Sequence, residues 1–547
     1  MYHAGQLQTG IKSITPKVSL TESMATPWPN RDNFWGNEDP WRAQTFWEPL
    51  VRLLPKFKHL TDVVAQVRGG IPVGIVATLE QSHPECRLHL PNFTFRSLHE
   101  DITNPDERAL VTSSNLHSIS VEYRFRDHHG MVDYNEAAAL RTVALAPNLK
   151  HVRILGVRPR NSAGLRAMGR PFEPWKGFIP PIDEADRPKS KLVSLELTGA
   201  YSQLTPEKLA IWQEAADLSG VKMLSCSISW SNIPDHVSMS NTFSSLTDLT
   251  LSFEPPKRGP YDVREHAIQN FLSSLNSLTS LSLSGPFYGP FLSAIAERHG
   301  ATLEKLTLRH TGGQFPTPPS RYRMFTNDLR ILASACLQLT ELSLYVQRSL
   351  GDRTEIETYE AIDCRNSSGS NRQVDPGWDD FEKAEPDNGA VIPAPIYRNG
   401  HLKRAIVNSA LDETLARSIY ALVSSKRSES TLDVLEVKTY GGGSFDGTFP
   451  GDLKIIVDHV SRNYRFERQS ERQGTGFMSI IELSKGQREA KDAYVRTREG
   501  IHAEHHEYGS KVPQDGAWAV FRRLWPFEEH EDWRDVWRSW PLGYQKV

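Results

Sequence analysis

The chain's apolar residues recur in a fixed phrase: Leu, two variable residues, Leu, one variable residue, Leu. It reads Leu246-Thr-Asp-Leu249-Thr-Leu251, Leu278-Thr-Ser-Leu281-Ser-Leu283, Leu303-Glu-Lys-Leu306-Thr-Leu308 and Leu339-Thr-Glu-Leu342-Ser-Leu344. β-Branched versions stand at Leu116/Ile119/Val121, Leu149/Val152/Ile154, Leu192/Leu195/Leu197 and Leu432/Leu435/Val437, with a degenerate copy at Leu60/Val63/Ala65 and a further one at Val221/Leu224/Cys226. Alternation at the end of each phrase predicts a short strand with its aliphatic residues on one face. Between phrases the period changes to 3.6. Leu329, Leu332, Ala333 and Cys336 share a helical face, as do Ala267, Ile268, Phe271 and Leu275. Thr205-Pro206-Glu207 opens another helix, with threonine as N-cap and proline in the first turn.

Phrases beginning at 116, 149, 192, 246, 278, 303 and 339 are separated by 25 to 54 residues. A strand and a return helix fit such steps, and leucine-rich repeats run about 20–29 residues, longer where helices or loops are extended. No single unit can bury its leucines, so neighbours must stack. The predicted fold is α/β: a leucine-rich-repeat solenoid with a curved parallel sheet and helices on its convex side.

Residues 349–400 interrupt the phrase and are rich in Gly, Pro, Asp, Glu and Ser, as in Asp375-Pro-Gly-Trp-Asp-Asp380, which predicts a disordered insertion. The expected organisation is a flexible segment over 1–37, a solenoid with its N-terminal cap over 38–348, the insertion, last repeat units over 401–484, and a Trp-rich helical cap over 485–547. Solenoid ends need capping. Trp28, Phe34, Trp35, Trp41 and Trp47 precede the first phrase, and Trp518, Phe521, Trp525, Trp533, Trp537 and Trp540 follow the last. The final three tryptophans fall at i, i+4 and i+7. They predict either helices folded back on the last repeat or a helix offered to a partner's groove. Pro49 is expected to bend or restart the first helix.

Composition narrows the function. The 547 residues carry 66 acids and 63 bases, a net charge of −3 without a polybasic block, which does not favour a nucleic acid or an anionic membrane as partner. The most apolar stretch, around Ile71–Leu79, falls short of the ~20 residues that cross a bilayer. Cys86, Cys226, Cys336 and Cys364 are far apart and read as reduced thiols, which with no visible secretory signal points to cytoplasm or nucleus.

Candidate chemistry is sparse. His502-Ala-Glu-His505-His506-Glu507 is not the His-Glu-x-x-His of zinc proteases and reads as a solvated cluster; a metal-dependent hydrolase using His502 and His505 is the alternative of another class. Asp127-His128-His129-Gly130 reads as a turn, and Gly441-Gly-Gly443-Ser444 lacks the lysine of a phosphate loop. No catalytic residue, cofactor site or metal site is assigned, and the protein is expected not to be an enzyme. What remains is the concave face, where residues between the leucines point away from the core: Asp248, Thr250, Lys305, Thr307, Arg309, Glu341, Ser343, Tyr345, Glu436 and Lys438 are the candidate partner-binding set.

The leucine phrases, Pro40-Trp-Arg42 through Phe46-Trp47-Glu-Pro-Leu50, His83-Pro-Glu-Cys-Arg-Leu-His89 and the Trp-rich close resemble large fungal F-box/leucine-rich-repeat proteins over roughly residues 35–545. The resemblance implies a substrate receptor of a Skp–cullin–F-box ubiquitin ligase, whose repeats hold a protein to be ubiquitinated. Residues 1–37 do not show the Leu-Pro opening and apolar helical repeats of an F-box, so no residue is assigned to a Skp adaptor. A structural scaffold without a ubiquitin link is the alternative.

Overall fold

A computed structural model describes residues 13–14, 44–65, 71–124, 132–157, 174–182, 189–199, 203–229, 236–254, 262–285, 289–309, 326–344, 348, 350, 353–361, 399–424, 434–439, 451–468, 478–483, 485–505, 516–528 and 531–543. They form two compact units. The first comprises residues 1–284, 302–307 and 339–342, and the second the remainder.

The first unit is built on a parallel sheet. Its strands are β1 (Ser13–Ile14), β2 (Asp62–Val64), β3 (Arg87–Phe93), β4 (Leu116–Tyr123), β5 (His151–Gly156), β7 (Ser194–Gly199), β9 (Met223–Ser229), β10 (Asp248–Glu254) and β11 (Ser280–Ser284), continued by β12 (Lys305–Arg309) and β13 (Glu341–Leu344). These eleven lie in chain order across the sheet. The short β6 (Ser190–Lys191) and β8 (Ala216–Asp217) pair with each other alone.

Every recurrent phrase before Leu339 contributes a strand, and the register explains the repeat. Ile119 pairs with Val152, Val152 with Leu195, Leu195 with Leu224, Leu224 with Leu249 and Leu249 with Leu281. A second aliphatic row runs from Val121 through Ile154, Leu197, Cys226 and Leu251 to Leu283. Both rows are buried, and the residues between them, from Ser120 through Arg153, Glu196, Ser225 and Thr250 to Ser282, are not. A one-residue slip in any strand would turn its leucines outward, so burial of one face fixes the register. Helices alternate with the strands and bring their own buried faces: Ile75, Val76 and Leu79 from Val73–Ser82, Ala138, Ala139 and Val143 from Asn135–Leu145, Leu209 and Trp212 from Pro206–Ala215. The Thr205 hydroxyl accepts from Lys208 N at 3.2 Å, as its cap position predicts.

Short side chains stitch neighbouring units. Thr247 Oγ1 donates to Lys222 O, Thr279 Oγ1 to Thr247 O and Thr340 Oγ1 to Glu304 O. Two residues before the first leucine, Asn276 Nδ2 donates to Ser244 O, and Ser244 Oγ to Ser219 O. Asn115 lies deeper, and its Nδ2 donates to the carbonyls of His83, Pro84 and Cys86. Gly199, with φ +85°, allows β7 to end against β5: a Cβ there would sit 2.1 Å from Gly156 O.

At the N-terminal side the helix Gln44–Leu53 passes through Pro49 without a restart. Trp47 is buried, and with Leu50 and Leu54 it lines a small apolar cavity against Val63, Ala65, Ile71, Ile75 and Leu88. Trp28, Phe34, Trp35 and Trp41 lie outside the described residues.

The second unit departs from the sequence expectation at three points. The phrase at Leu432/Leu435/Val437 does not extend the parallel sheet. Its strand β14 (Val434–Val437) pairs antiparallel with β15 (Asn463–Arg468), which pairs antiparallel with β16 (Met478–Leu483). Leu435 packs there beside Tyr464 and Phe466, partners that follow it in sequence and are invisible to the phrase.

Part of the expected insertion is a helix, Arg353–Ala361. Its Glu355 and Tyr359, one turn apart, are buried; Glu355 accepts from Arg348 Nε at 2.9 Å and from the Tyr359 hydroxyl at 3.2 Å. Arg348 Nη1 donates to the carbonyls of Val407 and Ala410. An ion pair of residues seven apart in a polar-rich stretch leaves no hydrophobic period to read. Residues 362–398 lie outside the described residues, as do Cys364 and the pair Asp379-Asp380.

The third difference concerns the tryptophans. The last helix is Trp533–Val536 only, so Trp537 and Trp540 follow it in extended chain rather than on a helical stripe. Trp518, Trp525, Trp533 and Trp537 are buried with Phe521 against Leu402, Ile406, Leu453 and Val457. They are core, not a displayed docking helix. The 21-residue helix Lys485–His505 bears His502 and His505. Gly441–Ser444, Asp127–Gly130 and His506 lie outside the described residues.

Candidate functional site

The face of the parallel sheet opposite the leucines carries three rows of outward residues set by the same register. The first contains Ser118, His151, Ser194, Met223, Asp248 and Ser280; the second Ser120, Arg153, Glu196, Ser225, Thr250 and Ser282; the third Glu122, Leu155, Thr198, Ser227, Ser252 and Ser284. From β7 to β11 these are mostly serine and threonine. Short side chains leave the backbone surface open to a contacting molecule while still offering hydroxyls.

The candidate residues fall on this face in part. Asp248 is half-buried and accepts from the Thr247 hydroxyl at 2.6 Å, and Thr250 is exposed. On β12, Lys305, Thr307 and Arg309 alternate with buried Leu306 and Leu308; on β13, Glu341 and Ser343 are exposed. Lys305 Nζ donates to Glu341 at 2.7 Å, and that bond holds its ammonium above the usual lysine range. Tyr345 lies outside the described residues.

Glu436 and Lys438 do not belong to the face. They sit on and beside β14 in the antiparallel sheet of the second unit, paired with each other, and Glu436 also accepts from Arg465 at 3.4 Å. The leucine spacing alone cannot distinguish a strand of one sheet from a strand of another.

Sequence reasoning missed the other side of the face, over β2 to β5. The pairing of β3 with β4 shifts register between Leu88 and His89, so that Leu88 faces Leu116 but His89 faces Ser118. His117 is the extra residue, and its imidazole lands between two others. The His117 ring lies 5.5 Å from that of His89 and 5.3 Å from that of His151, centroid to centroid. A bulge that redirects a side chain in this way is a recurrent feature next to functional sites. The signal was present, because His89 and His151 each stand immediately before an inward aliphatic residue, but His117 is legible only with the bulge.

The three imidazoles differ in their surroundings. Asp62 accepts from Arg87 Nη2 at 2.8 Å and from His89 Nε2 at 3.0 Å. Burial raises the Asp62 carboxyl, but hydrogen bonds from Arg87, His89 and Thr61 outweigh it and hold it well below the usual carboxylate range. An ionised carboxylate only accepts, so His89 Nε2 donates to it, while Nδ1 shares a hydrogen bond with the Ser118 hydroxyl at 2.9 Å. Neither the His117 nor the His151 imidazole has a hydrogen-bond partner among the described residues. Burial, followed by the repulsion that a protonated ring would meet from His151, His89, Arg87 and Lys150, pushes His117 down to about 4. Burial, then His89 and Lys150, lowers His151 too. Both rings are therefore neutral at neutral pH. Beyond them Arg153 pairs with Glu196 at 3.1 Å.

This arrangement can bind, but it does not assemble a nucleophile, a base and an oxyanion site. Cys86, Cys226 and Cys336 are buried, and burial lifts all three thiols above their usual range. Among the described residues no three His, Cys, Asp or Glu side chains are disposed to hold a metal ion, and His89 has both nitrogens engaged. Among the described residues, too, no helix is long and apolar enough to cross a membrane. No family model matches the chain, and no curated protein matches it.

Proposed function

We propose that the protein is a non-enzymatic leucine-rich-repeat solenoid that binds another protein on the polar face of its parallel sheet. The single observation that carries this reading is the in-register pair of aliphatic rows, which consigns one face of the sheet to the core from β4 to β11 and turns the residues between them to the other face. Extended repeat surfaces of this kind are used to grip macromolecules. An extended surface lined by serine and threonine suits a broad protein contact better than a small molecule, which needs an enclosing pocket.

The role of substrate receptor in a Skp–cullin–F-box ubiquitin ligase is proposed on the resemblance noted for the leucine phrases and the Trp-rich ends. It adds a partner class to the reading without changing the face that would hold it. Intracellular residence in cytoplasm or nucleus accompanies the proposal.

A photo-crosslinking amino acid placed at Thr250 or Ser282 in the full-length protein tests the open face in cells. Crosslinks to one recurrent protein, lost when Ser225 and Ser282 are both changed to Trp, would support the reading. Equal crosslinking from the exposed helix position Ile211 would overturn it. Co-purification of a Skp adaptor, compared with and without residues 1–60, tests the ubiquitin link separately.

A further inference from the structure

We infer that His117 and His151 form a subsite for a carboxylate of an acidic peptide segment, bound together with a proton. The inference rests on the open face being a protein-binding surface and names the chemistry of one end of it.

Charge complementarity supplies the argument. The charged and titratable groups facing the pair are Asp62 on β2, Arg87 and His89 on β3, Glu122 on β4, Lys150 and Arg153 at β5, and Glu196 on β7. The acids are already used: Asp62 by Arg87 and His89, Glu196 by Arg153, and Glu122 by Arg124. Lys150 pairs with no carboxylate among the described residues. The groups that act on a protonated His117 are all basic: His151, His89, Arg87 and Lys150. A patch in which every carboxylate is matched and two imidazoles and an ammonium are not is a patch that favours an anion.

Geometry supports it independently. The bulge brings the His117 ring to 5.3 Å from His151, with 59° between their planes. Their ring nitrogens have no partner among the described residues, whereas the neighbouring His89 is held on both sides. A carboxylate between them gives each protonated ring a charge-assisted hydrogen bond. It offsets the burial, and after it the repulsion, that keep the rings neutral in the free protein, so binding takes up protons. Reciprocally, a lower pH strengthens binding.

The test uses the full-length protein and a fluorescent hexaglutamate peptide, followed by anisotropy at pH 7.5 and pH 5.5 at low ionic strength. One bound proton strengthens binding up to about tenfold per pH unit in the linked range, so the expected result is a dissociation constant at least tenfold lower at pH 5.5. His117→Gln with His151→Gln should abolish this dependence while the circular dichroism and melting temperature at pH 7.5 stay unchanged. If that pair disturbs the fold, His151→Asn alone should still remove about half of the pH slope. Absence of binding at pH 5.5, affinity independent of pH, or equal affinity in the double variant would each overturn the inference. So would a phosphoserine peptide binding tenfold tighter than hexaglutamate at pH 7.5, which would assign the site to phosphate. Crosslinking from Thr250 and Ser282 reads a different part of the face, so failure here leaves the broader proposal standing.

Discussion

The hydroxyl of Thr279 donates to the carbonyl of Thr247 at 3.2 Å, and the two threonines occupy the same position of consecutive leucine phrases. Thr247 in turn reaches Lys222 O, and Thr340 reaches Glu304 O. A residue that looks like a polar filler after the first leucine thus joins these three strands to the ones before them.

Replacing Thr279 with Val keeps the shape and deletes the donor. A hydrogen bond of this type contributes about 0.5–1.5 kcal/mol. Urea unfolding of Thr279→Val should show a loss in that range. The double change with Thr340→Val should be nearly additive, because the sites share no partner.

The same phrase should carry very different energies along the sheet. Leu281 and Leu342 are both second leucines, yet Leu281 is 1% exposed and Leu342 39%. β13 ends the strand order among the described residues. Leu281→Ala should cost about 2–5 kcal/mol and Leu342→Ala under about 1 kcal/mol, measured as shifts in the denaturation midpoint.

These contrasts show which features the sequence discloses. Leucines at fixed spacing are legible because each must enter one core in one register, and the ten-residue helical faces between them follow the same demand. The bulge at His117 is not, since it adds one polar residue without disturbing the aliphatic period. β14 was misassigned because its leucine spacing is the same in an antiparallel sheet, and pairing with β15 depends on residues some thirty positions away. The helix Arg353–Ala361 was missed because a buried ion pair, not an apolar stripe, ties it down.

That ion pair gives a sharp expectation. Arg348 and Glu355 have side chains 7% and 0% exposed. Glu355→Ala strands a guanidinium in the core and should destabilise the second unit by about 3–5 kcal/mol. Arg348→Met with Glu355→Met removes both charges and should recover much of the loss. Calorimetry of the three proteins checks the order.

Acid should weaken the first unit through its histidines. His117 titrates near 4 in the folded chain against an ordinary 6.5, so between those values the unfolded chain binds more protons. Its contribution is complete above pH 6.5 and is lost as pH falls toward 4. The ring is partly solvated, which limits the effect to about 1 kcal/mol. Urea midpoints of the wild type and His117→Gln, compared at pH 7 and pH 4.5, should show the smaller acid loss in the variant. An equal loss in both would show that other groups set the acid sensitivity.

Lys485–His505 is held by charge, where Gly451–Val460 is held by apolar packing. Of its residues from Lys485 to Thr497 whose side chains are described, only Arg488 and Asp492, one turn apart, are even half-buried. Arg488 donates to Glu482 at 2.7 Å, Asp492 faces His459 Nδ1 at 3.0 Å, Arg496 reaches Asp532 at 2.8 Å, and Lys491 pairs with Asp458. Screening shortens the reach of such contacts from about 30 Å at 0.01 M salt to about 3 Å at 1 M. Raising salt should therefore loosen this helix while leaving Gly451–Val460, with Leu453, Ile456, Val457 and Val460 in the core, in place. Hydrogen exchange followed by mass spectrometry should show faster exchange over 485–497 at about 1 M salt and no change over 451–460. Arg488→Ala should produce the same local acceleration at low salt. Protection of 485–497 that ignores both salt and Arg488 would mean that apolar contacts, not ion pairs, hold the helix down.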